Sequence, residues 1–237
     1  MKNKIVLIVL FILPIVTYLI FASAKHNSLF LPTLTKNNTE IPAEWTSLSN
    51  EKVQLKDRIT VLGFTGTDMV DFKANMFNLN QKIYNKYYGF NDFQVIMIAP
   101  EGTQEEIKKI ISEFSRITED MKGWKFVFTQ PEAIKTYYDS YKLTSNLEDN
   151  LGSPNVIILD KNRNLRGRKG KNKKGEEEYR DSYNAASAAD LHNEMTDDLK
   201  IILREYRLAL KKNKRKDDFK DNIVNEVEKS TQKNKRQ

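Results

Sequence analysis

The residues of this chain best placed to do chemistry are Thr67, Asp68 and Asp71. They stand where a short apolar run, Val61-Leu62-Gly63-Phe64, gives way through Thr65-Gly66 to a long amphipathic pattern. A strand delivering its last residues to a helix N-terminus is where open α/β folds gather ligands, because unpaired N–H groups and a partial positive charge collect there. A hydroxyl and two carboxylates at such a turn could form a polar site for acid–base work or for a hard cation. The plainer reading is that Thr67 or Asp68 caps the helix and Asp71 complements its dipole. No partner base or metal ligand lies nearby in sequence, which favours the cap.

Other candidates are few. The chain has no cysteine, so disulfides, thiolate nucleophiles and thiolate metal sites are all excluded. Of its two histidines, His26 lies just past an apolar segment and His192 sits beside the apolar stripe of the last helical pattern, neither with a neighbour at chelating spacing. Met69, Met76 and Met97 could offer thioether sulfur, but Met76 and Met97 fall in core-facing patterns and read as packing residues. Tyr84, Tyr87, Tyr88 and Phe90 could form a docking patch, though an aromatic helix end covering a sheet explains them as well. The basic arm from Arg163 to Lys174 offers Arg163, Arg166, Arg168, Lys169 and Lys171 to an anionic partner or to lipid headgroups. Its plain alternative is a solvated hairpin loop balanced by Glu176-Glu177-Glu178.

The net charge of +7 is local rather than general. Residues 211–237 carry ten basic and five acidic residues, and residues 161–174 carry eight basic residues and no acid. The rest of the chain is therefore acidic, which argues against a nucleic-acid-binding fold. A hydrophobic content of 39% is enough for a globular body with polar extensions.

The framework around these residues reads in chain order. Ile5 to Ser23 is nineteen residues without a charge, preceded by Lys2 and Lys4. As a helix it reaches roughly 28 Å, close to the ~30 Å hydrocarbon core, and the lysines favour an N-inside orientation. Ala22-Ser23-Ala24 also has the form of a cleavage site, so residues 1–24 are read as a membrane anchor or a signal segment; either one exports the rest of the chain. Residues 25–50, rich in Asn, Thr, Ser and Pro without periodicity, read as a tether, and residues 51–210 as the folded body. Strands are expected at Ile59–Phe64, Phe93–Ala99, Trp124–Thr129, Val156–Leu159 and near Leu165–Arg168. Between them, Phe72, Met76, Leu79, Ile83 and Tyr87 mark one helix face. Ile107, Ile110, Ile111, Phe114 and Ile117 mark a second, with Thr103 and Glu106 in a capping-box pattern. Pro131 starts a short helix through about Tyr141, and Leu191, Met195, Leu199, Ile202 and Tyr206 mark a long one from about Ala188 to Leu210. Residues 211–237 read as a solvated charged tail. Alternating strands and helices ending in a hairpin and a helix make an α/β fold.

The segment Gly63-Phe64-Thr65-Gly66-Thr67-Asp68-Met69-Val70-Asp71 resembles the active-site motif of the Sco/SenC family, thioredoxin-fold copper chaperones of respiratory oxidases, which reads G-F-T-x-C-P-D-[IV]-C-P. Trp124 to Thr129 resembles the family's W-x-F-L-T-G, and Pro154 to Asp160 its P-x-x-F-L-I-D strand. The resemblance implies a thioredoxin-like central sheet flanked by helices over residues 51–210, an N-terminal transmembrane helix, and a cis-proline at Pro154 beside the site. It also implies where copper ligands would stand, and there the chain departs: Thr67 and Asp71 occupy the two cysteine positions and Gly152 the histidine position. Hydroxyl and carboxylate oxygens suit Cu(I) poorly and cannot exchange disulfides. Gly63, Phe64, Thr65 and Pro154 are then the scaffold of a degenerate site.

The expectation is a Cys-less, thioredoxin-like module on the exported, periplasmic side of a cell membrane, non-catalytic and without a cofactor. Its partners would be the membrane and a protein of the envelope, with no nucleic acid; assembly of a respiratory complex is what the resemblance suggests. Two alternatives stay open: a metal carrier or enzyme using oxygen ligands or methionine at the same turn, and an envelope protein whose basic arm and tail lie against anionic lipid.

Overall fold

The computed structural model of the protein describes residues 10–19, 30–49, 51–118, 120–172 and 174–207. Its strands are β1 (Thr33–Thr35), β2 (Thr46–Ser47), β3 (Ile59–Thr65), β4 (Phe93–Pro100), β5 (Trp124–Thr129), β6 (Gly152–Leu159), β7 (Leu165–Arg166), β8 (Arg168–Lys171), β9 (Glu177–Arg180) and β10 (Tyr183–Asn184). The sheet runs β1-β7-β6-β3-β4-β5-β2, with β10 also on β6, while β8 and β9 pair separately as a hairpin. β3, β4 and β5 are parallel and β6 is antiparallel to β3. The ends of β3 and β4 and the start of β6 therefore meet at one pole.

Both faces of the central strands are covered, which is why they read as unbroken apolar runs. On one face Val61, Val95, Met97, Phe126 and Ile158 pack against α2 (Met69–Leu79), α4 (Gln104–Phe114) and the last helix. That helix runs from α6 (Ala188–Asp190) through a π-helical segment (Leu191–Met195) into α7 at residues 196–207. On the other face Leu62, Phe64, Ile96, Ile98, Val127 and Ile157 pack against α5 (Pro131–Asp139) and against Ile41 and Leu55. The predicted stripe Phe72, Met76, Leu79, Ile83 and Tyr87 is buried throughout, carried from α2 across a π-helical segment (Asn80–Tyr84) into α3 (Asn85–Tyr87).

Several expectations need correction. Residues 30–49 do not merely lead up to the sheet: β1 pairs with β7, β2 pairs with β5, and Leu31 and Ile41 are buried. Thr103 does not form a capping box. Its hydroxyl donates to Pro100 O at 2.7 Å, and no side chain caps that helix. Ile117 lies beyond the end of α4 and is exposed. The chain breaks at Gly167 into β7 and β8 where one strand was expected. Of the proposed anchor, residues 10–19 are helical (α1) and the remainder lies outside the described residues, as does the tail. Among the described residues no helix is long and apolar enough to cross a membrane.

The core holds an unusual number of phenols. Burial pushes Tyr87 and Tyr206 up to about 12, and holds Tyr141 and Tyr183 well above the ordinary value of 10.0. As pH rises from 10 towards 12 the unfolded chain loses phenolic protons that the folded chain keeps, so stability falls across that window. The buried phenols should ionise only together with loss of far-ultraviolet circular dichroism. Smooth, early ionisation of every tyrosine in a folded protein would contradict this.

Candidate functional site

A cleft of about 230 Å³ opens at the pole where β3 ends and β6 begins. Phe64, Thr65, Asp68, Asp71 and Phe72 line it from β3 and the start of α2, and Gly152, Ser153, Pro154 and Val156 from β6. The topology brings these distant segments together because β3 and β6 are antiparallel neighbours, with Phe64 opposite Ser153 and Thr65 opposite Gly152. Asp71, Gly152 and Pro154 therefore share one hollow. Thr67 stands exposed at its rim, where its N–H donates to Asn150 O at 2.9 Å.

Asp68 supplies the cap. Its Oδ1 accepts from the N–H groups of Val70 at 3.0 Å and Asp71 at 3.2 Å, an arrangement worth about 1 kcal/mol. Asp71, in the first turn, is exposed and complements the helix dipole. The cap reading of the turn is the one the structure supports, leaving little for Asp68 to do as a chemical group.

Sequence reasoning missed the side of the cleft contributed by Glu148 and Asn150, and the carboxamides of Asn75 and Asn78. Asn150 Oδ1 accepts from Gly152 N at 2.7 Å, while Asn78 donates to Ala185 O at 3.1 Å and reaches Ala186 O at 3.3 Å. An Asn two residues before a Gly after a helix is a turn signal, but nothing in it tells that the turn closes on Gly66. The cleft lining thus holds three carboxylates, of Asp68, Asp71 and Glu148, and no basic side chain.

The position of Gly152 is crowded by the Asn150 side chain and by the end of β3. A Cβ built there would lie 2.8 Å from Asn150 Oδ1, 3.2 Å from Thr65 O and 3.3 Å from Gly66 Cα. Gly66, at φ +67, faces it so closely that its own Cβ would come within 2.6 Å of Gly152 N. The Ser153–Pro154 peptide is trans, contrary to the cis-proline expected from the resemblance, and Pro154 lies within a strand that continues to Leu159.

At the level of sequence, no protein-family model and no curated protein matches the chain. Solved structures do. A SCO1/SenC family lipoprotein from Bacillus anthracis superposes with a TM-score of 0.52 at 16% identity, over 73% of this chain and 99% of that one. BsSco, described as a member of the Sco family of cytochrome c oxidase assembly proteins, superposes with a TM-score of 0.51 at 12% identity, over 73% and 98%. The chain shares the thioredoxin-like fold of these Sco/SenC structures. Within that thioredoxin-like frame, the positions that the resemblance assigns to copper ligands hold a hydroxyl at the rim, an exposed carboxylate and a glycine crowded by Asn150 and Thr65. This set does not fit Cu(I). Among the described residues no group of three or more His, Asp or Glu side chains is placed to hold a metal ion.

The basic arm is likewise not what its sequence suggested. Arg166 is buried, with Nη1 3.1 Å from Asp160 Oδ2 and Nη2 2.7 Å from Glu205 Oε2. Arg168 is held by Glu178, Glu194 and Asp198 at 2.5 to 3.1 Å. Neither is available to an anionic partner. Arg163 is half-buried in a left-handed turn at φ +61, its carbonyl accepting from Asn38, and only Lys169 and Lys171 of the five stand exposed.

Proposed function

We propose that the chain is a membrane-tethered, exported binding module that assists assembly of an envelope complex without catalysing a reaction. The observation that carries this is the crowding at Gly152: the position that the resemblance gives to a histidine holds no side chain, and a Cβ there would meet Asn150 Oδ1 at 2.8 Å and Thr65 O at 3.2 Å. The other polar cleft groups are carboxylates, carboxamides and hydroxyls, with the largely buried thioether of Met97, and none of them can exchange thiols. The link to a respiratory complex comes from the neighbour described as a cytochrome c oxidase assembly protein, and the tether from the uncharged run Ile5–Ser23 together with the neighbour named as a lipoprotein.

Beside the cleft, the outer stripe of α2 exposes Val70 at 79% and Phe77 at 47%, an apolar surface that a docking partner would cover. The test is co-purification from detergent-solubilised membranes. Thr67→Ala with Asp71→Ala should keep the partner, whereas Val70→Asp with Phe77→Asp should lose it while circular dichroism stays unchanged. The reverse pattern, or near-stoichiometric copper in the purified protein, would overturn the proposal in favour of chemistry at the turn.

A further inference from the structure

Resting on the reading of the chain as a binding module, we infer that the pole opposite the cleft captures an acidic, aromatic-bearing segment of the partner protein. A hollow of about 650 Å³ opens there, where β3, β4 and β5 begin. The seven residues of β3 separate it from the cleft by about 20 Å. The two ends of the sheet differ in sign. The cleft lining holds three carboxylates and no basic side chain, whereas Lys52, Arg58, Lys122 and Lys125 line this hollow against Glu51 and Asp120.

Its cations are only partly neutralised from within. Lys125 is paired with Glu51 at 2.8 Å, but Lys122, 91% exposed, stands 3.7 Å from Asp120. Lys52 pairs with none of the described residues. Arg58 gives Nη1 to Asn91 O, and no other described residue claims the rest of its fork. Beside them Tyr88 and Phe90 leave 42% and 37% of their surface uncovered. Carboxylates set against the cations, with a ring laid on the aromatic shelf, are the complement of this lining.

The walls are held before anything binds. Gln94 is buried, and its Nε2 donates to Gln54 O at 2.8 Å and to Thr60 Oγ1 at 2.9 Å, pinning residues 51–54 to β4. Arg58 holds the turn at Asn91, where Ile59 N also donates to Asp92 O at 2.7 Å. A preformed hollow of this kind loses little freedom on binding. Its cations line a recess rather than crown a surface. A narrow extended chain reaches them where a flat layer of lipid headgroups does not.

The experiment titrates the full chain, purified in detergent, with a fluorescein-labelled Glu-rich peptide carrying a central Phe, read by anisotropy. Binding should saturate at low salt, fall steeply at high salt and vanish when every Glu is replaced with Gln. Lys52→Gln with Arg58→Gln should weaken it about fivefold or more, and removing the Phe from the peptide about threefold. Lys52→Gln alone removes no contact of the fold and should show part of the loss, so the test survives if Arg58→Gln disturbs the turn. An equal loss with Lys169→Gln and Lys171→Gln on the β8–β9 hairpin would mean diffuse charge and overturn the inference. So would binding of phosphatidylglycerol vesicles in place of the peptide, or self-association, through Lys52 and Arg58. Lipid, or the acidic cleft of a second copy, would then be the occupant. No peptide binding, while Val70→Asp with Phe77→Asp still releases a co-purifying partner, would sink the inference and leave the binding-module reading standing. Peptide binding as stated with no co-purifying partner would support the recess and count against the assembly role.

Discussion

Gly66→Ala is expected to destabilise the domain by about 3–4 kcal/mol, the sum of a left-handed residue acquiring a Cβ and of overpacking against fixed backbone. The atoms it would meet are Gly152 N at 2.6 Å and Gly152 Cα at 2.7 Å, both in β6 and neither free to swing aside as a side-chain tip would. For a domain of this size the loss corresponds to a fall in Tm of about 10 °C, measurable by thermal circular dichroism. A serine or cysteine at position 66 should cost as much, because the conflict begins at Cβ. A change of less than about 1 kcal/mol would mean that the β3 and β6 ends stand further apart than described.

The second large effect concerns Arg166. Its guanidinium lies between Asp160 and Glu205 and also donates to Leu31 O. Asp160 and Arg166 are both almost fully buried, so Arg166→Ala strands two carboxylates and a carbonyl in a poorly solvated place. Removing one member of a buried ion pair costs about 3–5 kcal/mol. The expected result in chemical denaturation is a midpoint shift of that size, and Asp160→Asn with Glu205→Gln in the same background should recover part of it, because the uncompensated charge is then gone. If the triple variant were no more stable than Arg166→Ala alone, packing of the arginine stem rather than charge would be the source. Loss of the clamp should also release Leu31, seen as faster hydrogen exchange at its amide, which now donates to Glu205.

How far the sequence predicted this molecule depends on where each residue's instruction comes from. Strands such as Phe93–Pro100 and Trp124–Thr129 and the Phe72-to-Tyr87 stripe were legible because burial leaves a mark on their own residues. β1 and β2 were not, since three residues of Thr-Leu-Thr and two of Thr-Ser carry no period; their pairing is imposed by Leu165–Arg166 and Val127–Phe128 across the sheet. Arg166 and Arg168 looked like a solvated arm because charge reads the same whether exposed or buried. Their partners Glu205, Glu194 and Asp198 lie 26 to 39 residues away. The site was half legible: the turn at Thr67 to Asp71 carries its own strand-to-helix signal, whereas Glu148 and Asn150 enter only through β6 register. The trans peptide before Pro154 agrees with the ordinary preference of X-Pro bonds, and the cis expectation came from the resemblance alone.

The brevity of β2 has a consequence for how copies of this protein coexist. It covers β5 only opposite Val127 and Phe128, with Leu48 N reaching Phe126 O, so the stretch at Trp124 and Lys125 forms an unsealed border of the sheet. An ion pair between Lys125 and Glu51 stands across that gap at 2.8 Å. Charge at such a margin keeps sheets from zippering edge to edge into polymers, so high local concentration is tolerated through electrostatic guarding rather than through a full-length covering strand.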